Sequence, residues 1–252
     1  MNSPATDPRS VSDLFEAVFD ADDEAAWNAV AALTWRGSED VRDRAIDLTL
    51  SDDPVARGRG ANILGELGIP ERTYPEACFS AVLPLLADTV EAVVVDAVFA
   101  LPKIDQLRAI AHIIPFAEHD AADVRHAVAF GLCGAETAAA LQTLLKLMDD
   151  CDADVRDWAT FGIGAQSDAN SEQVRTALAK ALSDENIDVR YEGIIGLARR
   201  RDVRSVPYLI PLLEEEPDDI FAREAAAELL GIDEDTAVTT ADLIGGLRSL
   251  AA

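Results

Sequence analysis

The sequence predicts an all-α fold, a right-handed α-α superhelix of about seven stacked helical hairpins. Three observations predict it. One phrase recurs: DVRHAVAFGLCG from Asp123, DVRDWATFGIGA from Asp154 and DVRYEGIIGLAR from Asp188. Counting the valine of each copy as position 0, the apolar residues fall at 0, +4, +7 and +8, one face of a 3.6-residue period. The composition favours helix formers, and no β-branched run alternates with polar residues.

The elements follow in chain order. Residues 1–10, MNSPATDPRS, read as a disordered tail; they carry neither the basic nor the apolar region of a secretory leader. Ser12–Phe19 reads as a short amphipathic helix pairing with Asp22–Trp35. Seven copies of the phrase then anchor at Ala25, Ala56, Val93, Val124, Val155, Val189 and Ala222, at spacings of 31, 37, 31, 31, 34 and 33. The longest step is assigned to an enlarged loop, GIPERTYPEAC, from Gly68 to Cys78. The stretches AAALQTLLKLMD, VRTALAKALS and VPYLIPLLEE supply the first helices of later hairpins. The turns DDCDAD, SDENID and EEPDD supply carboxylates to cap the second helices. Gly60, Gly162, Gly193 and Gly196 stand at +4 or +7, where small residues let helices approach closely. The solenoid is assigned to residues 11–232. A capping helix follows within 233–252, started by Thr239 or Thr240.

Charge is the strongest compositional constraint. Asp and Glu number 47 against 21 Lys and Arg, a net charge of -26. Such a chain repels phosphate backbones and anionic lipid, so neither a nucleic acid nor a membrane is an expected partner. The same argument excludes the basic groove of a DNA glycosylase. Lysine is confined to Lys103, Lys146 and Lys180. The acidity is compatible with a salt-adapted cytoplasm, with a GC-rich genome, or with steering of a basic partner. Arg199, Arg200, Arg201 and Arg204 form the single basic cluster; it reads as compensation of a helix C-terminus, with an anion site as the alternative. Three cysteines, Cys78, Cys133 and Cys151, give no disulfide framework or zinc spacing. No apolar run approaches the ~18 residues of a membrane span. A monomeric cytoplasmic protein is expected.

Catalytic patterns are missing. GRGANILG near Gly58 belongs to a repeat helix and lacks the strand that precedes a phosphate loop. His112, His119 and His126 lie seven residues apart, but the turn FAEHDAAD puts His112 and His126 on different helices, so no metal site is expected. Paired carboxylates sit in turns, where capping explains them. DDCDAD lacks the Gly and the terminal Glu of a calcium loop. No catalytic residue and no cofactor is assigned.

The recurring phrase, with the leucine-rich stretch before it, resembles the bacterial HEAT-like repeat, a type also found in phycobilin lyases. VRDWATFGIG followed by VRYEGIIGLARRRDVRSVPYL is similar to the enterobacterial YibA-like HEAT-repeat proteins, a group encoded beside Rhs-type polymorphic toxins. That resemblance implies a scaffold that binds a protein, as an immunity or regulatory protein would. The alternative it leaves open is a bilin-lyase-like or other cofactor-handling enzyme. In HEAT-like arrays the second helices line the concave face, with +2, +5, +6 and +9 pointing away from the core and +3 at the border. Those positions nominate His126, Phe130, Asp157, Trp158, Phe161, Tyr191, Glu192, Ile195, Glu224 and Glu228 as the partner-binding surface. Trp158 is expected to pack in the core, and Tyr191 and His126 to be exposed. Arg125, Arg156 and Arg190, which follow their anchors, are expected to pair with a turn aspartate of the adjacent repeat.

Overall fold

In a computed structural model of the chain, residues 4–232 and 237–250 are described. The chain divides into two compact units, Met1–Gly131 and Leu132–Ala252. The first holds four hairpins among its described residues. They are α1 (Val11–Ala17) with α2 (Asp23–Arg36), and α3 (Glu39–Thr49) with α4 (Pro54–Gly65). Then α5 (Pro75–Val82) pairs with the start of α6 (Glu91–Ile113), and the end of α6 with α7 (Ala122–Leu132). The second unit holds α8 (Ala138–Leu147) with α9 (Ala153–Gly164), α10 (Glu172–Ala181) with α11 (Ile187–Arg199), and α12 (Val206–Glu215) with α13 (Ile220–Leu230). A last helix, α14 (Thr240–Leu250), follows.

All seven anchors lie on second helices, and the caps fix their register. Asp22, Asp53, Asp152, Asn186 and Asp219 each stand three residues before an anchor, and each accepts a backbone N–H of the helix it starts. Thr239 is the residue that starts α14: its hydroxyl accepts from the Asp242 amide at 3.2 Å, and its own amide donates back to the Asp242 carboxylate at 3.0 Å.

Four differences from the sequence reading have local causes. The expected tail is docked from Pro4 onward, because Arg36 donates to the Asp7 and Arg9 carbonyls at 2.8 Å and Ser10 caps α1; Met1–Ser3 lie outside the described residues. The loop expected over Gly68–Cys78 stops at Tyr74, since Pro75 at the first helical position suits the start of α5. Within that loop Gly68 has φ 78°, and a Cβ there would meet the Thr73 side chain at 2.5 Å. Helix α6 serves two hairpins: Pro102 removes a helical N–H, and the backbone leaves helical geometry at Asp105. Finally, +5 belongs to the core (Ala129 and Thr160 at 0% exposure), and so do Gly164 and Ala198 at +9. A second helix packed on both sides buries a wider arc than the sequence stripe shows. The boundary expected after residue 232 adjoins residues 233–236, outside the described residues.

One interaction repeats with the hairpins. The arginine after the anchor donates from one terminal nitrogen to the turn carbonyls five and six residues earlier. Arg57 reaches Ser51 and Asp52 at 2.9 and 3.0 Å, and Arg125 reaches His119 and Asp120 at 2.8 and 2.9 Å. Arg156 reaches Asp150 and Cys151 at 2.9 and 3.3 Å, and Arg190 reaches Asp184 and Glu185 at 2.7 and 3.0 Å. The remaining nitrogens of Arg57 and Arg156 form two-pronged pairs with the turn aspartate of the following hairpin. Arg57 meets Asp88 at 2.6 and 2.9 Å, and Arg156 meets Asp184 at 2.8 and 2.9 Å. The expected pairing fails at Arg190: counted from the anchor, the place of Asp88 and Asp184 is held in the next turn by Pro217, which has no carboxylate, while Asp219, two residues on, caps α13 and takes the Tyr191 hydroxyl.

The Asp88 and Asp184 carboxyls are held below their usual range, first by the hydrogen bonds from their arginines. A lowered carboxyl pKa stabilises the fold above the unfolded-state value and loses that contribution on acidification. Arg156→Met is therefore expected to lower stability by about 2–4 kcal/mol at pH 7, since a mostly buried carboxylate and two carbonyls lose their donor. Denaturant melts of Arg156→Met, Asp184→Asn and the double variant measure this, with the gap between wild type and Asp184→Asn narrowing below about pH 4.

Candidate functional site

Glycines bring the second helices of the second unit into backbone contact. A Cβ on Gly196 would lie 2.7 Å from the Gly164 Cα, and one on Gly164 would lie 3.0 Å from the Glu192 carbonyl oxygen. Such a contact between α9 and α11 admits only glycine. It sets Asp157 and Phe161 of α9 beside Tyr191, Glu192 and Ile195 of α11. Helix α13 packs on the other side of α11.

Between these three helices lies a cavity of about 360 Å³. Phe161, Tyr191, Glu192, Ile195, Glu224 and Glu228, six of the ten residues nominated from the sequence, line it. Sequence reasoning missed five further lining residues, Phe221, Arg199, Gln166, Ala165 and Ala225. Phe221 is 65% exposed and sits one residue before its anchor, where an aromatic in a turn-to-helix junction was the available signal. Ile195, expected to point outward, is only 5% exposed and forms part of the wall. Asp157 and Trp158 are not among the lining residues; Trp158, expected in the core, is half-buried and sets its ring edge-on to Phe161, centroids 5.6 Å apart. His126 and Phe130 belong to the first unit, where both meet Phe99 edge-on, at 5.8 and 5.2 Å.

Tyr191, expected to be exposed, is half-buried, and its hydroxyl donates to both Asp219 oxygens at 3.0–3.1 Å. Asp219 also caps α13, so the tyrosine is fixed by the start of the next helix. Burial raises its phenol pKa, and the bond to Asp219 raises it further. His126 is half-buried as well.

Glu192 differs from the other acids. No hydrogen bond or ion pair reaches its carboxylate among the described contacts. Burial, then the charges of Asp157 and Asp188, push its pKa up to about 7. Asp157 is pushed up to about 6 by burial and by Asp188 and Asp154, and one of its oxygens is buried without a hydrogen-bond partner. At the cavity mouth Arg199 lies 3.7 Å from Glu228, while Glu224 is exposed.

The basic cluster is structural at its centre. Arg200 is 7% exposed and donates to the carbonyls of Ile163, Gly164, Ser167, Ala169 and Gly196 at 2.6–2.9 Å. It thus covers the C-terminal carbonyls of α9 and α11 and ties down the loop after α9. Burial, reinforced by Arg199 and Arg175, lowers its pKa to about 10. Three of the four DDCDAD carboxylates are also committed: Asp150 accepts from the Asp152 amide at 2.9 Å, Asp152 caps α9, and Asp149 meets Lys180 at 2.6 Å. His112 lies on α6, His119 accepts from the Ala121 amide in the turn, and His126 lies on α7. Among the described residues no three His, Cys, Asp or Glu side chains gather as metal ligands, and no helix is long and apolar enough to cross a membrane.

Residues 141–231 match the model of HEAT repeats. The chain is 29% identical over 233 residues to Protein YibA of Escherichia coli strain K12, covering 86% of this chain and 79% of that protein. The X-ray structure of E. coli YibA superposes with a TM-score of 0.75 at 24% identity, over 95% of this chain and 93% of the other. The complex of CpcE and CpcF of phycocyanin lyase from Nostoc sp. PCC7120 matches with a TM-score of 0.53 at 14% identity, over 97% and 96%. The chain has an all-α solenoid fold, matches HEAT repeats over residues 141–231 and is similar to YibA.

Two substitutions separate structural from functional charge. Glu192→Gln is expected to stabilise the protein by roughly 1–3 kcal/mol at pH 8 and by less at pH 5. The sign follows from the raised pKa: folding must hold an ionised, half-buried acid at pH 8, and a protonated one at pH 5. Arg200→Met is expected to lower stability by about 3–5 kcal/mol, because buried carbonyls lose their donor. Thermal melts at both pH values check the pair, and a destabilised Glu192→Gln at pH 8 would contradict the assignment.

Proposed function

We propose that this protein is a non-catalytic binding scaffold that acts as a cytoplasmic monomer and holds a basic protein partner against its second helices. One observation carries the reading. The α9–α11–α13 face gathers aromatic residues and carboxylates around one open cavity, and its central acid has no internal cation. Aromatics provide anchors and acids provide steering, the division of labour common at protein interfaces. The net charge of -26 extends the attraction beyond the cavity. An immunity or regulatory role fits this chemistry, since a basic toxin domain would meet an acidic face with apolar anchors. The YibA-like resemblance of residues around Trp158 and Tyr191 supports that finer reading. A lyase-like role draws only on a shared fold, and folds host unrelated functions.

The surface can be tested without touching the bonded Tyr191. The double variant Glu224→Arg, Glu228→Arg reverses charge at the cavity mouth, whereas Glu215→Lys changes an exposed acid at the end of α12. Affinity capture from the native host should recover a basic protein with wild type and Glu215→Lys, and at least about tenfold less with the double variant. Equal capture by all three would remove this face from the interaction. A spectral shift on adding a bilin, followed by transfer to a cysteine-bearing acceptor, would replace binding with catalysis.

A further inference from the structure

We propose that the cavity between α9, α11 and α13 is a socket for a single long cationic side chain, arginine or lysine, projecting from the bound partner, with Glu192 as its counter-ion. This inference rests on the binding reading above and adds the chemistry of the anchor. Size comes first. About 360 Å³ is near the bottom of the ~300–1,000 Å³ range of small-ligand pockets, so the cavity admits one side chain and not a folded element.

The walls then select what enters. Phe161, Ile195, Phe221 and the ring of Tyr191 give apolar surface suited to a methylene stem, and the aromatic faces attract a cation. The Tyr191–Asp219 bond holds one wall in place before any ligand arrives. The polar group that such a stem would carry inward meets Glu192. Arg199, the one cation lining the cavity, lies against Glu228. An anionic ligand would face Glu192, Glu224 and Glu228 together. A neutral one would leave Glu192 half-buried without a counter-charge. Only a cation answers the arrangement.

Proton linkage gives the socket a signature. Glu192 faces Asp157 of α9 and Asp188 of its own helix, with Arg199, Glu224 and Glu228 around the cavity and the Cys133 thiol within reach of its charge. A cation binds the ionised form and expels the proton. With its pKa near 7, the ionised share of Glu192 rises from about one-tenth at pH 6 to about nine-tenths at pH 8. Affinity for a cationic side chain should rise by roughly five- to tenfold over that interval.

The test uses end-capped pentapeptides, Gly-Gly-Arg-Gly-Gly, Gly-Gly-Lys-Gly-Gly and the uncharged Gly-Gly-citrulline-Gly-Gly. They are titrated into the full chain at 0.15 M salt (approximately physiological), where long-range attraction is screened. The Glu192 side-chain carboxyl resonance is followed by NMR. At least one cationic peptide should saturate, with citrulline about tenfold weaker or more. Glu192→Gln should weaken the cationic peptide to a similar degree at pH 8 and abolish the pH dependence. Phe221→Ala, at a 65% exposed position, should weaken binding about threefold without altering the pH profile. Citrulline binding as well as arginine, unchanged affinity in Glu192→Gln, or no saturable binding of either cation would each overturn the socket. Capture of the native partner that survives Glu192→Gln but fails in Glu224→Arg, Glu228→Arg would overturn the socket alone and leave the binding face standing.

Discussion

The repeat depends on one side chain, the arginine that follows five of the seven core anchors. Its guanidinium has five donors in a fixed plane, and a hairpin turn has carbonyls that the helices leave unsatisfied. Arg57, Arg125, Arg156 and Arg190 each cover two of those carbonyls. Where the remaining edge finds an aspartate, as in Arg57–Asp88 and Arg156–Asp184, the same plane also fixes the next hairpin. A turn and an inter-repeat spacing are thus set by one residue. That aspartate also holds its own turn, since Asp184 accepts from the Asn186 amide and Asp88 from the Val90 amide, each at 2.9 Å.

That arrangement changes at Arg190. Pro217 stands where Asp88 and Asp184 stand in other turns, so Arg190 keeps carbonyls alone, and Tyr191 bonds Asp219, the cap of the next helix. A structural carboxylate here fixes an aromatic ring at the edge of a cavity.

The acids of this chain divide by what they touch. Turn aspartates accept backbone amides or arginines, so their charge is absorbed by the fold. Glu192 and Asp157 are instead pressed together by the glycine contact between α9 and α11 and find no donor. Gly164 and Gly196 weaken their helices by about 1 kcal/mol each relative to alanine, and they obtain a helix approach that no other residue permits. The consequence is a pair of acids with raised pKa values on the second-helix face of the second unit, the feature on which the proposed cation site rests.

The sequence by itself determined the hairpin count, the register of every anchor and the identity of most caps. These depend on short-range periodicity and on turn chemistry, which are local. It also nominated six residues that line one cavity, because a repeat places equivalent positions on equivalent faces. It could not show that Arg200 is buried beneath five carbonyls, that Tyr191 is tethered, or that Phe221 joins the wall. It placed +5 and +9 outward, since a single helix stripe does not show that neighbours close on both sides. Which acids are neutralised and which stay without a partner was decided only by tertiary structure. Charge pairing depends on distances between residues some thirty positions apart, and no local pattern encodes those distances.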